Sequence, residues 1–159
     1  MSMFPIPLHL SLLALGLAGQ APAPVPTLPA AQTVSAIVEQ CTPSVSQTER
    51  SATFAAQMAA VTGTQRMSMQ IEMQERSPTD PVFHTIVAPG LGVWRQSETG
   101  VKIYKYVKQV SNLAAPAVFR AQVHYRWLDN QGRTIKRAQR HTPVCVQPVD
   151  IPTAPARMP

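Results

Sequence analysis

The chain has 159 residues, fourteen basic and eight acidic, for a formal charge of +6. That length suits one small domain with tails and excludes a multi-domain protein. The two cysteines show no metal-ligand spacing, so a zinc framework is excluded as well.

An apolar run from Leu8 to Ala18 opens the chain, followed by the small residues Gly19 and Ala21. It is shorter than the roughly 20 residues a membrane-spanning helix needs and matches the apolar region of a signal peptide. Residues 1–20 are therefore expected to be a cleaved leader, although no Lys or Arg precedes the run. The competing reading is an apolar, membrane-touching tail. No lipobox cysteine accompanies the leader. Residues 21–33 carry proline at every second or third position from Pro22 to Pro29, which removes backbone donors and fixes φ, so an extended linker is expected. Residues 148–159 repeat that composition and are expected to be a proline-rich tail. The folded body then covers 34–147.

Within that body the period is two almost throughout. A helical turn around Ser35 to Gln40 is the only helix the sequence suggests. Phe54, Ala56, Met58 and Ala60 take every second place, as do Met67, Met69, Ile71 and Met73. Such alternation marks strands with one face in a core and one in water. Thr62-Gly63-Thr64 lies between them, so the two are expected to form a hairpin. The alanine-rich first run leaves a helix over 52–61 as an alternative. Shorter strands are expected at 82–87, 93–96 and 101–110. Pro116 then precedes a long alternating run in which Phe119, Ala121, Val123, Tyr125 and Trp127 share one face. Asp129 to Gly132 supplies turn chemistry, and Arg133 to Arg140 returns antiparallel. About seven strands with regular turns predict an all-β, antiparallel β-sandwich of immunoglobulin or fibronectin type III character.

Cys41 and Cys145, 104 positions apart, enclose nearly all of these segments. One disulfide joining the two ends of one domain is the expected state, with a pair of free thiols as the alternative. An oxidised pair beside a leader predicts a secreted or cell-envelope protein.

The segments Ala88-Pro89-Gly90-Leu91-Gly92-Val93-Trp94, Phe119-Arg120-Ala121, Tyr125-Arg126-Trp127 and Thr142-Pro143-Val144-Cys145 resemble small exported bacterial proteins of uncharacterised function. Some of these are similar to the cell-adhesion-related (CARDB-type) Ig-like domain. The resemblance spans roughly 40–147 and implies a sandwich fold and an envelope location. It brings no catalytic residue.

The residues themselves point the same way on catalysis. His84, His124 and His141 are dispersed, no Gly-x-Ser-x-Gly elbow occurs, and Glu72 and Glu75 fall on opposite strand faces. No enzyme, cofactor or metal site is expected; a hydrolase would need a histidine and a carboxylate brought together by folding. Charge is the remaining signal. Lys102, Lys105, Lys108, Arg120, Arg126, Arg133, Lys136, Arg137 and Arg140 crowd the stretch between Val101 and Cys145 against one acid, Asp129. Such asymmetry suits a glycan, wall polymer or lipid headgroup, and equally suits plain solubility. The first expectation is a non-catalytic domain that binds a protein or envelope component. The alternative is a polyanion-binding module using those nine residues, in which Arg120, Arg126, Arg133, Lys136 and Arg140 form one continuous basic face. Specific nucleic-acid recognition is not expected.

Overall fold

The computed structural model describes residues 33–149. The leader, the linker up to residue 32 and the tail from residue 150 lie outside the described residues. Nine strands run in order: β1 (Val34–Thr42), β2 (Ser51–Ala59), β3 (Arg66–Arg76), β4 (His84–Ile86), β5 (Arg95–Gln96), β6 (Ile103–Ser111), β7 (Ala117–Leu128), β8 (Thr134–His141) and β9 (Cys145–Gln147). Two antiparallel sheets form. Sheet A has the order β1-β2-β6; sheet B has β4-β3-β7-β8, with β5 beside β3 and β9 beside β7. The fold is an all-β sandwich closed by one disulfide, Cys41–Cys145.

The alternation of β3 and β7 accounts for the core. Met67, Met69, Ile71 and Met73 from β3 meet Phe119, Ala121, Val123, Tyr125 and Trp127 from β7, all buried. Across from them, Phe54, Ala56 and Met58 of β2 close the interior from sheet A. Two large side chains also carry polar tips, and each tip finds a carbonyl on the opposite sheet. The Tyr125 hydroxyl donates to the Ser35 carbonyl at 2.7 Å, and Trp127 Nε1 donates to the Ala59 carbonyl at 2.7 Å. Burying an aromatic ring while satisfying its donor is the condition for placing Tyr or Trp in a core.

Three local expectations are corrected. The runs around Phe54–Ala60 and Met67–Met73 are strands, but they do not form a hairpin. β2 pairs with β1 and β6, whereas β3 pairs with β7, β4 and β5. The short link between them crosses from one sheet to the other, so both apolar faces enter the same core from opposite sides. Ser35 to Gln40 is part of the edge strand β1, not a helical turn; among the described residues the one turn of 3-10 helix is at Gln47–Glu49. The bridge joins the two ends of the domain as expected, and it does so by linking β1 of sheet A to β9 of sheet B, with a Cα–Cα span of 5.4 Å. Cys41 therefore lies within the first strand and not before it.

β8 and β9 are two halves of one interrupted edge, both laid along β7. Pro143 cannot donate to the ladder, and Thr142 repairs the break. Its hydroxyl accepts from the Ala121 N–H at 2.9 Å and donates to the Pro143 carbonyl at 2.7 Å.

Trp127→Ala is expected to cost ~3–5 kcal/mol in denaturant unfolding, and Tyr125→Phe about 1 kcal/mol for one lost hydrogen bond. A loss below about 1 kcal/mol for the tryptophan variant would contradict a core that depends on it. Reduction should lower the melting temperature, because closing a loop of this length contributes up to ~4.7 kcal/mol on the chain-entropy model. An unchanged melting curve in excess dithiothreitol would show the bridge to be dispensable.

Candidate functional site: the outer face of sheet B

Cross-strand pairing decides which basic residues meet. On the outer face of sheet B, Ser68, Arg126 and Arg137 share one row; Gln70, His124 and Gln139 share the next; Glu72, Gln122 and His141 follow, then Gln74 with Arg120. Lys136 and Arg140 pair with Trp127 and Val123 and so take the inward register at the sandwich edge. There Lys136 Nζ lies 5.0 Å from the Trp127 ring centroid. Arg133 sits in the turn before β8, bonded to Asp129 at 2.9 Å. Lys102 precedes β6, and Lys105 and Lys108 lie on β6 in the other sheet, with Lys105 paired to Glu39 at 2.6 Å. The nine basic residues are thus distributed over two sheets, two registers and a turn. The continuous face expected from Arg120, Arg126, Arg133, Lys136 and Arg140 does not form. Arg120, Arg126 and Arg137 remain on one face, with Arg126 and Arg137 directly opposite one another.

Arg120 and Arg126 join an ordered side-chain network. Phe83, just before β4, lies under the Arg120 guanidinium at 3.9 Å and beside Arg76 at 5.0 Å. Arg120 Nε donates to Gln74 Oε1 at 2.8 Å, Gln74 Nε2 donates to Gln122 Oε1 at 2.7 Å, and Gln122 Nε2 reaches His124 Nε2 at 3.3 Å. Arginine has no acceptor, so its donation fixes the direction of every later link. His124 also stands 3.6 Å from Glu72 and tilts against Trp94, ring centroids 6.5 Å apart. Trp94 in turn lies 3.7 Å from the Arg126 guanidinium. The row runs from Phe83 at one end to Trp94 at the other, with an arginine stacked at each end.

Both aromatic residues come from the irregular stretch between β3 and β6, and backbone bonds to β3 hold that stretch in place. The Gly92 N–H donates to the Ile71 carbonyl, and Ser97 exchanges bonds with both backbone groups of Met67. Gly90 adopts a φ of +77° and leaves room for Lys108, whose Nζ lies 2.8 Å from where a Cβ would stand. These contacts fix the segment on either side of Trp94. A groove of about 420 Å³ opens beside it, lined by Trp94, His124, Arg126, Arg137 and Gln139.

The chemistry available here is recognition by hydrogen bonds and charge. Folding does bring histidine to carboxylate twice, at His124–Glu72 and at His84–Asp80, 2.7 Å apart. Among the described residues neither imidazole is hydrogen-bonded to a hydroxyl or thiol. Among the described residues no three His, Cys, Asp or Glu side chains cluster to hold a metal, and no helix is long and apolar enough to cross a membrane. The Val82 backbone N–H and the His84 ring together hold the Asp80 carboxyl below its usual range. Burial, and after it the charges of Arg120 and His124, lowers the His141 pKa.

Sequence reasoning found Arg120, Arg126 and their outward direction but missed Phe83, Gln74 and Gln122. The available signal was polar amides at alternate places on two strands, which is also what any wet sheet face shows. Comparison with known protein families, curated proteins and solved structures finds no match for this chain.

The depressed His141 gives a pH prediction. Its folded-state affinity for a proton lies below that of the unfolded chain, so stability falls as pH drops through the histidine range, from about 7 to about 5. His141→Gln should flatten the melting-temperature profile over that window. An equally steep profile in the variant would assign the dependence to another group.

Proposed function

We propose that the chain is an exported, non-catalytic Ig-like domain that binds a protein or cell-envelope component through the outer face of sheet B. The observation that carries this reading is the pre-ordered row from Phe83 through Arg120, Gln74, Gln122 and His124 to Trp94 and Arg126. Side chains already fixed by their neighbours lose little freedom on binding, and stacked arginines are favoured anchors at interfaces. Such ordering exceeds what solubility requires.

The strand partition supports the Ig-like assignment. The first, second and sixth strands form one sheet and the third, seventh and eighth the other, with β4 and β5 on the side of the third. That is the division of an immunoglobulin-type sandwich with a broken middle connection. Export is supported by the apolar leader and by the Cys41–Cys145 bridge, since disulfides persist in oxidising compartments. The alternative, a salt-sensitive module for a glycan, wall polymer or lipid headgroup, draws its support from Arg126 and Arg137. These stand directly opposite one another with no carboxylate in salt-bridge range among the described residues.

Co-sedimentation with envelopes isolated from the producing cells tests the docking face. The unmodified chain and Lys105→Ala, altered on the other sheet, should sediment. Trp94→Ala should remain in the supernatant with its melting temperature little changed. Equal sedimentation of all three, or of none, would overturn the assignment of this face.

A further inference from the structure

We infer that the groove between Trp94 and β8 binds the acid group of an anionic glycan, with Arg126 and Arg137 as a two-arginine clamp. The inference rests on the docking face proposed above and names its ligand class.

Like charges directly opposite on neighbouring strands destabilise a sheet. Arg126 and Arg137 are such a pair. The four ion pairs among the described residues involve neither of them. Arg126 is also held against Trp94 at 3.7 Å, which fixes its guanidinium in place. Stacking uses the flat face of a guanidinium and leaves its N–H edge free to fork onto a carboxylate or sulfate. The open groove of about 420 Å³ lies at that edge, and Gln139 and His124 line the same space. A carboxylate or sulfate ester seated there would neutralise the opposed pair.

The rest of the face indicates what carries that acid group. Arg120, stacked on Phe83, lies six residues from Arg126 along β7, about 20 Å away. Between the two arginine stations run the amides of Gln74 and Gln122 and the His124 ring. Amides and an imidazole give and accept hydrogen bonds as sugar hydroxyls do, and charge recurs at the two ends. A linear sugar chain with acid groups at intervals matches that alternation. Single-stranded nucleic acid fits less well, because it needs open aromatic faces on which bases stack. Here Trp94 and Phe83 each already have a guanidinium over the ring.

The test is calorimetric titration of the folded chain with polygalacturonate, heparin and neutral dextran, at low and at raised salt. Binding to one or both acidic chains, none to dextran, and weakening with salt are expected. Polygalacturonate alone would identify a carboxylate as the recognised group, heparin alone a sulfate. Arg137→Gln should weaken the interaction about tenfold, the effect of losing one charge-assisted hydrogen bond. It should also melt no lower than the unmodified chain, because it relieves the repulsion with Arg126. That combination separates a ligand clamp from a structural arginine, whose loss would lower both. Arg126→Gln serves as the second variant and should weaken binding by a similar factor.

Unaltered affinity in both variants, or binding to neither acidic chain, would overturn the clamp. Tighter binding to a single-stranded oligothymidylate or to phosphatidylglycerol vesicles than to either glycan would overturn the ligand class. If envelopes still retain the chain in a Trp94-dependent way while both glycans fail, the glycan assignment falls and the docking face stands. If envelope binding also fails, both fall.

Discussion

The structure depends first on β7 and on the two polar tips it sends across the sandwich. Its inward residues supply three of the four largest buried side chains, Trp127, Tyr125 and Phe119. Apolar burial alone would leave two sheets free to slide, since hydrophobic attraction has no direction. The bonds from Tyr125 to Ser35 and from Trp127 to Ala59 remove that freedom, because each names one carbonyl on the facing sheet. Burial strengthens the constraint. It pushes the Tyr125 phenol far above its ordinary value, so the hydroxyl remains a neutral donor. With inward positions fixed in this way, the outward positions of β7 follow, and Arg120, Gln122, His124 and Arg126 are set in line on the other side of the strand.

The disulfide and the edge strands complete the enclosure at the margins. Cys41 lies on the outer strand of sheet A and Cys145 on the short β9, so the bridge closes the side of the sandwich where β1 approaches β8 and β9. The opposite margin has no covalent closure. There β6 pairs with β2 and presents its other edge. Lys108 stands opposite the buried Phe54, in the inward register, and reaches toward Gly90. An inward-pointing lysine on an edge strand opposes pairing with another chain, since the added strand would have to bury its charge. The open edge of sheet A is therefore protected against pairing with another chain.

Much of this was legible in the alternation. A period of two states which face of a strand is apolar, and it located the inward residues of β2, β3 and β7 correctly. It does not state which strand lies alongside. A three-residue turn between two one-faced strands suits a hairpin and equally suits a crossing between sheets, which is why β2 and β3 were expected as partners. The basic cluster failed for a related reason. A register shift where Trp127 and Leu128 meet β8 turns Lys136 and Arg140 inward and Arg137 outward. One extra residue in a strand exchanges its two faces, and nothing in the charges of the neighbouring residues announces it. The aromatic residues that stack on the arginines come from an irregular segment whose partners lie on other strands, so no local pattern could have paired them.

That register shift also bears on what the face is for. If solubility were the only demand, turning Arg137 outward beside Arg126 would be a poor arrangement, since scattered charges solvate a sheet without facing one another. The inward alternative was available one residue away, where Lys136 lies over the Trp127 ring and Arg140 near Tyr125. The fold instead holds one guanidinium against Trp94 and sets a second arginine opposite it, while Lys105, Arg133 and Arg120 are each given a polar partner. On the clamp proposed above, an anion seated between Arg126 and Arg137 would relieve the repulsion of two like charges set opposite one another. A lower stability of the unliganded domain and a higher affinity for an acid group are, on that proposal, two sides of one arrangement, and the arrangement itself traces to a single bulged residue, Ile135.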